Sequence, residues 1–180
     1  MTQRGTIRYL PTTHNESVTM EQKKPDNPGV RFPPPFLFVS GILIAWLMES
    51  RVARFRLVGG DASTAPLETA GIFLIVLGIL LILWAMLMFV RARTAILPMR
   101  PASRLVETGP YRVSRNPMYT GISIAYLGLM LLLNWGWLLV MFPVVLISLY
   151  HLVIKREERY LLSEFGQEYE AYCRRVRRWI

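Results

Sequence analysis

The feature that most constrains this chain is an uninterrupted apolar run from Ala70 to Val90. These 21 residues contain no aspartate, glutamate, lysine or arginine. An α-helix needs about 20 apolar residues to cross the hydrocarbon core of a bilayer. The run therefore predicts a transmembrane helix, and it excludes both a soluble globular domain and intrinsic disorder as descriptions of the whole chain.

Three further apolar runs predict an all-α, polytopic membrane bundle of about four transmembrane helices. The predicted spans are residues 33–50, 70–90, 119–133 and 137–154. The first span begins with three prolines and has only 13 apolar or small residues, 36–48, so a re-entrant or interfacial helix is its alternative. Three residues, 134–136, separate the last two spans, and we expect these spans to form an antiparallel hairpin. The small residues of the third run that permit close helix packing are Gly121, Ser123 and Gly128.

The segments outside the apolar runs are polar. Residues 1–32 contain three prolines and no apolar run, which predicts a flexible tail without a fold of its own. Residues 33–180 are interpreted as the membrane domain. Over 155–176, apolar residues recur at helical spacing, which predicts an amphipathic helix that lies along the membrane surface or against the loop between the second and third spans.

The basic residues predict the orientation of the chain in the membrane. The sequence has 21 lysines and arginines against 12 acidic residues, a net charge of +9. With four spans, 18 of the 21 basic residues lie on the same side as both termini. The positive-inside rule makes that side the cytoplasm. Because the charge brackets apolar spans, we assign it to the lipid bilayer as a partner and not to nucleic acid.

Metal chemistry is not expected. The single cysteine, Cys173, excludes an intramolecular disulfide and a multi-cysteine metal site. The two histidines, His14 and His151, are far apart in the sequence.

The loop between the second and third spans holds the first candidate site. Residues 105–121 read L-V-E-T-G-P-Y-R-V-S-R-N-P-M-Y-T-G. Irregular backbone at membrane depth is tolerated where it is buried or lines a cavity, so the two proline turns predict a polar ligand. Alternatively, Tyr111 and Tyr119 are ordinary interfacial aromatics, and Arg112 and Arg115 are ordinary positive-inside charges.

A pair of carboxylates after the fourth span forms the second candidate site. Glu157 and Glu158 are adjacent like charges at the edge of the apolar layer, which is costly without compensation. We predict that one carboxylate accepts hydrogen bonds from a ribose diol. The other is expected to pair with an arginine of the loop between the second and third spans. A cluster paired locally with Arg156 and Arg159 is the alternative. The predicted topology brings both candidate sites to one membrane face.

These two motifs carry a family resemblance. G-P-Y-R-V-S-R-N-P-M-Y-T-G, followed by E-E-R-Y-L-L-x-E-F-G-x-x-Y-x-x-Y, resembles the isoprenylcysteine carboxyl methyltransferase and phospholipid methyltransferase superfamily of integral-membrane enzymes. The resemblance extends over roughly residues 31–179. It implies a small helical bundle whose cytosolic C-terminal elements enclose S-adenosylmethionine. It also implies methyl transfer to a hydrophobic small-molecule or lipidated acceptor within the membrane.

The resemblance further implies which residues contact the cofactor. They belong to the stretch before the Gly-Pro-Tyr turn, to that turn, to the Asn-Pro-Met-Tyr element and to the end of the last span. The implied cofactor-binding residues are Ser103, Arg104, Leu105, Val106, Tyr111, Asn116, Pro117, Met118, Tyr119, Glu157 and Glu158. The candidates for positioning the reacting groups are Asn116, Tyr119 and Arg115.

Two positions depart from the isoprenylcysteine enzymes as aligned. Asn116 replaces a histidine, and its amide can form hydrogen bonds but does not titrate near neutral pH. A positioning role is therefore favoured over a general-base role. Val153 lies one helical turn before Glu157, where those enzymes have an arginine that can hold the substrate carboxylate. We therefore expect an acceptor with a different polar head, with prenylcysteine as the alternative.

Two other functions are alternatives. One is a non-enzymatic membrane scaffold or accessory protein on the same fold, which would not bind S-adenosylmethionine saturably. The other is a membrane-embedded NADPH-dependent reductase, because sterol reductases end in a related cofactor-binding fold. Those reductases are normally much longer and have more spans.

Overall fold

The computed structural model describes residues 29–30, 33–59, 63–94 and 103–179, and within these ranges the chain is helical without β-strands. This confirms the predicted all-α class. The helices are α1 (Pro35–Arg51), α2 (Ala65–Ala92), α3 (Pro117–Leu133), α4 (Gly136–Leu149), α5 (Lys155–Phe165) and α6 (Gln167–Arg175). A 3-10 turn at Gly109–Arg112 precedes α3, and a π turn at Tyr150–Ile154 joins α4 to α5.

Among the residues that the structure describes, two helices are long and apolar enough to cross a membrane. They are Ala65–Ala92 and the continuous helix Gly136–Phe165, which comprises α4, the π turn and α5. The predicted spans 70–90 and 137–154 lie within them. The other two predicted spans lie in shorter helices, since α1 and α3 have 17 residues each.

The segment from 155 to 176 is two helices, so the prediction of one continuous amphipathic helix there is wrong. α5 continues from the π turn and ends at Phe165, and α6 begins at Gln167. The break falls at Gly166, whose φ of +51° is readily adopted by a residue without a Cβ.

Part of the predicted tail packs on the helical domain. Val30 is 6% exposed, and the carbonyl of Gly29 accepts a 3.0 Å hydrogen bond from Nη1 of Arg156. Gly29 and Val30 therefore contact the helical domain, while the flexible tail over residues 1–32 stays a prediction. The predicted tail residues 1–28, 31 and 32 lie outside the described residues.

α3 packs along α2 at glycine contacts. A Cβ at Gly78 would lie 2.5 Å from the carbonyl oxygen of Gly121, and a Cβ at Gly71 would lie 2.7 Å from that of Gly128. This pairing makes the two helices antiparallel and brings their backbones into contact, as small residues permit in membrane proteins. The close packing predicted at Gly121 and Gly128 is confirmed.

α4 packs mainly on α1, so the expected hairpin of the third and fourth spans has only a small interface. A main apolar cluster fills the space between α1, α3, α4 and the π turn. Its fully buried members are Ala45, Leu138, Leu149 and Ile154. The first turns of α3 and α5 lie at the edge of this cluster and beside the loop that precedes α3. The candidate site lies there.

Candidate functional site

The loop before α3 is shaped by a glycine that packs on α2. Gly109 has a φ of +62°, and a Cβ there would lie 2.8 Å from Sδ of Met88. Tyr111 is consequently buried against Phe89, with ring centroids 5.4 Å apart. The hydroxyl of Tyr172 donates a 2.7 Å hydrogen bond to the carbonyl of Tyr111. Burial raises the pKa of both tyrosine hydroxyls, so both are neutral.

A hydrogen bond between Tyr119 and Glu157 joins α3 to α5. The tyrosine hydroxyl donates to Oε1 of the carboxylate at 2.6 Å. Tyr119 lies in the first turn of α3, because Pro117 starts that helix. Short hydrogen bonds to a carboxylate are among the stronger ones in proteins. Within the described residues, Oε2 of Glu157 receives no hydrogen bond, so this oxygen can accept one from a ligand.

Glu158 binds two arginines from separate parts of the chain. Arg178 donates from Nε to Oε1 and from Nη2 to Oε2, each at 2.8 Å. This contact raises the pKa of Arg178, which stays charged. Nη1 of Arg115 lies 3.2 Å from Oε1 of Glu158. Arg115 is thus the loop arginine that the sequence predicted for one of the two carboxylates.

The alternative of a locally paired charge cluster does not fit these contacts. Arg156 donates to the carbonyl of Gly29, and Nε of Arg159 donates to the carbonyl of Lys155. Neither arginine forms an ion pair with Glu157 or Glu158 within the described residues.

The side chain of Asn116 is used within the protein. Its Nδ2 donates a 3.2 Å hydrogen bond to the carbonyl of Arg178, and its main-chain N–H donates to Oγ of Ser114. Its own carbonyl accepts from Oγ1 of Thr120 in the first turn of α3. Asn116 therefore holds the start of α3 to the residues that follow α6, and its contact with a cofactor stays a prediction.

The remaining predicted residues are divided among four places. Val106, Tyr111 and Met118 pack with Met88 of α2, while Leu105 packs with Tyr169 and Tyr172 of α6. Pro117 is fully buried at the start of α3. Ser103 and Arg104 are exposed, and the N–H of Ser103 donates to Oγ1 of Thr94 just after α2.

Three residues at this site were missed by the sequence analysis. Tyr172 supports the Gly-Pro-Tyr turn, Arg178 binds Glu158, and the ring of Tyr150 lies 5.1 Å below the guanidinium of Arg178. Tyr172 belongs to the Y-x-x-Y end of the second motif, so a signal for it existed. Arg178 is one of four arginines among the last seven residues, and the sequence does not distinguish them.

These features define a class of helical proteins. Its members have apolar helices of membrane-spanning length and a polar cluster where the ends of helices meet a loop that contains prolines. A model of the phospholipid methyltransferase family matches residues 67–168, more than half of the chain, and the chain belongs to that family. The matched region contains α2 from its third residue on, the loop, α3, α4 and α5, and with them the Tyr119–Glu157 pair.

Two relatives are similar over parts of the chain. The protein-S-isoprenylcysteine O-methyltransferase of Schizosaccharomyces pombe is 39% identical over 72 residues, which are 40% of this chain and 30% of that protein. An uncharacterized protein of Haemophilus influenzae is 42% identical over 64 residues, which are 31% of this chain and 98% of that protein. The chain therefore spans less than a third of the yeast relative's length.

Proposed function

We propose that this protein is an integral-membrane methyltransferase that uses S-adenosylmethionine to methylate a lipophilic acceptor. The observation that carries the proposal is the partly buried Tyr119–Glu157 hydrogen bond beside Glu158, whose charge two arginines balance. Membership in the phospholipid methyltransferase family supports methyl transfer. The name of the yeast relative supports a lipid-modified acceptor.

The groups at this cluster fit that cofactor. Glu157 offers a carboxylate that can accept hydrogen bonds from ribose hydroxyls, as acidic residues do in dinucleotide sites. Nε of Arg115 is buried and has no hydrogen-bond partner among the described residues, so it is a donor for the carboxylate of the cofactor. Arg115 and Arg178 both pair with Glu158, and burial raises the pKa of Glu157 to about 7.

The chain's own contribution to the chemistry is alignment and the exclusion of water. S-adenosylmethionine supplies an electrophilic methyl group on a sulfonium that leaves as a neutral thioether. In such a displacement, holding the two reactants in line can lower the barrier by about 7–11 kcal/mol. The buried Pro117 and the Tyr119–Glu157 hydrogen bond give the cluster a rigid edge for this purpose. Asn116 and Arg115 position neighbouring groups and do not act as bases.

We also propose four spans, with both termini and the cofactor site on the cytoplasmic side. The 18 basic residues that then share one side support this topology. Reporter fusions after Gly59 and after Arg104 are expected to report opposite compartments. The same compartment at both positions would contradict the topology.

Titration calorimetry of the purified protein with S-adenosylmethionine tests the function. Saturable binding is expected, together with transfer of labelled methyl groups into a fractionated lipid extract. Glu157→Ala should lose most of the affinity, because unpaired ribose hydroxyls leave desolvated donors without an acceptor. Glu168→Ala, which removes an exposed carboxylate in the first turn of α6, is the matched control and should bind normally. Absent binding would favour the scaffold alternative, and binding of NADPH instead would favour the reductase.

A further inference from the structure

Residues 176–179, which we name the strap, lie across the loop that precedes α3. The strap leaves α6 with extended backbone at Val176. Arg177 then pairs with Ser114 in an isolated parallel bridge, and the N–H of Arg115 donates a 2.9 Å hydrogen bond to the carbonyl of Arg177. Trp179 packs against the main apolar cluster. The strap is therefore held by the loop at Arg177 and by the main apolar cluster at Trp179.

Arg178 makes polar contacts through both its main-chain carbonyl and its guanidinium. Its carbonyl accepts hydrogen bonds from Oγ of Ser114 and Nδ2 of Asn116, both at 3.2 Å. Its guanidinium binds both carboxylate oxygens of Glu158 and stands 5.1 Å above the ring of Tyr150. A bidentate contact of this kind fixes the orientation of the guanidinium relative to the carboxylate as well as the distance between them.

These contacts reach both partners of the Tyr119–Glu157 hydrogen bond. Asn116 immediately precedes α3 and lies three residues before Tyr119, while Glu158 is adjacent to Glu157. Removing the Arg178 side chain would leave Arg115 as the counter-charge of Glu158 among the described residues. It would also remove the contact that ties the strap, and with it the carbonyl that binds Asn116, to Glu158.

We propose that Arg178 is a positioning residue of the cofactor site, which it shapes by holding Glu158 and the Ser114–Asn116 loop at a fixed separation. The inference rests on the proposed function. Arg178 acts through Glu158 and Asn116, so that Glu157 and Tyr119 meet in the geometry that receives the cofactor.

Binding of S-adenosylmethionine to the purified full-length chain tests this role, using Arg178→Ala, Arg178→Lys and Arg174→Ala. Arg178→Ala is expected to raise the dissociation constant about tenfold or more, because a charge-assisted two-pronged contact is lost. Arg178→Lys should lie between this variant and the wild type, because lysine keeps the charge and loses the planar fork. Arg174 is 71% exposed and lies 3.9 Å from Glu170, so Arg174→Ala is the matched control and should bind like the wild type.

Hydrogen exchange at the main-chain N–H of Arg115 reports the strap independently of the cofactor, because this group donates to the carbonyl of Arg177. Without cofactor, exchange should be faster in Arg178→Ala, intermediate in Arg178→Lys and unchanged in Arg174→Ala. Unchanged exchange or unchanged affinity in Arg178→Ala would overturn this inference alone. A wild-type protein that does not bind S-adenosylmethionine would overturn the proposed function and this inference with it.

Discussion

The hydroxyl of Tyr119 lies 2.6 Å from the carboxylate of Glu157, although 38 residues separate them in the sequence. Tyr126 lies two turns further along α3 and is 3% exposed. Its hydroxyl, in contrast, has no hydrogen-bond partner among the described residues. The same helix thus carries one tyrosine hydroxyl bound to a carboxylate and one without a partner.

Tyr119→Phe is expected to weaken S-adenosylmethionine binding about tenfold or more, because a hydrogen bond to a charged group contributes about 1.5–3 kcal/mol. Tyr126→Phe is the matched control, since it removes a buried hydroxyl without a described partner. It should bind normally and unfold at the same or a higher temperature. Titration calorimetry and thermal unfolding in detergent measure both effects. Equal affinities of the two variants would contradict the placement of the site.

Gly78→Ala is expected to destabilise the protein, because the added Cβ would lie 2.5 Å from the carbonyl oxygen of Gly121. Overpacking of this kind typically costs about 1–3 kcal/mol, and a backbone carbonyl cannot rotate away as a side chain can. Gly59→Ala is the control, since nothing lies within 4 Å of its added Cβ. Melting temperatures in detergent test the pair. A Gly78→Ala variant as stable as Gly59→Ala would refute tight α2–α3 packing.

Asn134→Gly is expected to lower the free energy of unfolding. Asn134 ends α3 with a φ of +53°, which glycine adopts readily, yet its side chain also anchors the loop after α1. Oδ1 accepts hydrogen bonds from the N–H groups of Leu57 and Val58, and Nδ2 donates to the carbonyl of Val58. Leaving these partly buried groups unpaired costs about 1–3 kcal/mol each.

Arg93→Gly is the matched control for this prediction. Arg93 ends α2 with the same φ of +53°, and its side chain is exposed. Glycine should be tolerated or stabilising at that position. Chemical or thermal unfolding of both variants separates the loss of hydrogen bonds from the relief of backbone strain. A similar change in the free energy of unfolding of both variants would contradict an anchoring role for Asn134.

Farnesylcysteine is expected to be a poor acceptor. Val153, which precedes Glu157 by four residues, is 2% exposed and packs in the main apolar cluster. An apolar side chain cannot balance the substrate carboxylate, and burying an unpaired carboxylate costs several kcal/mol. Labelled-methyl transfer in liposomes should stay well below about 1 s⁻¹, the lower end of ordinary enzyme turnover. Turnover above that rate would restore prenylcysteine as the acceptor.

The sequence identifies the helices because their signals are local. Uncharged apolar runs of sufficient length define α2 and α4, and a proline near the start of α1, α2 and α3 marks where each of these helices begins. The break at Gly166 was missed, since a glycine within an amphipathic pattern is compatible with a helix and with its end.

The sequence also predicted that Tyr119, Glu157, Glu158 and Arg115 belong to one site. Two motifs at the ends of predicted spans carried that information, because spans of known direction place their ends on known sides of a membrane. The ion pair between Arg115 and Glu158 confirms only that one of the two carboxylates pairs with an arginine of the loop, and the shared site stays a prediction.

The helix partners and the role of Arg178 were decided by the tertiary structure. Gly121 and Gly128 indicate close packing, but matching them to Gly78 and Gly71 depends on how antiparallel helices slide along each other. Arg178 is chemically identical to its arginine neighbours in the sequence. Arg178 meets Glu158 because the backbone turns back after α6. The path of the backbone there results from long-range packing, which overrides the local secondary-structure propensity of the residues.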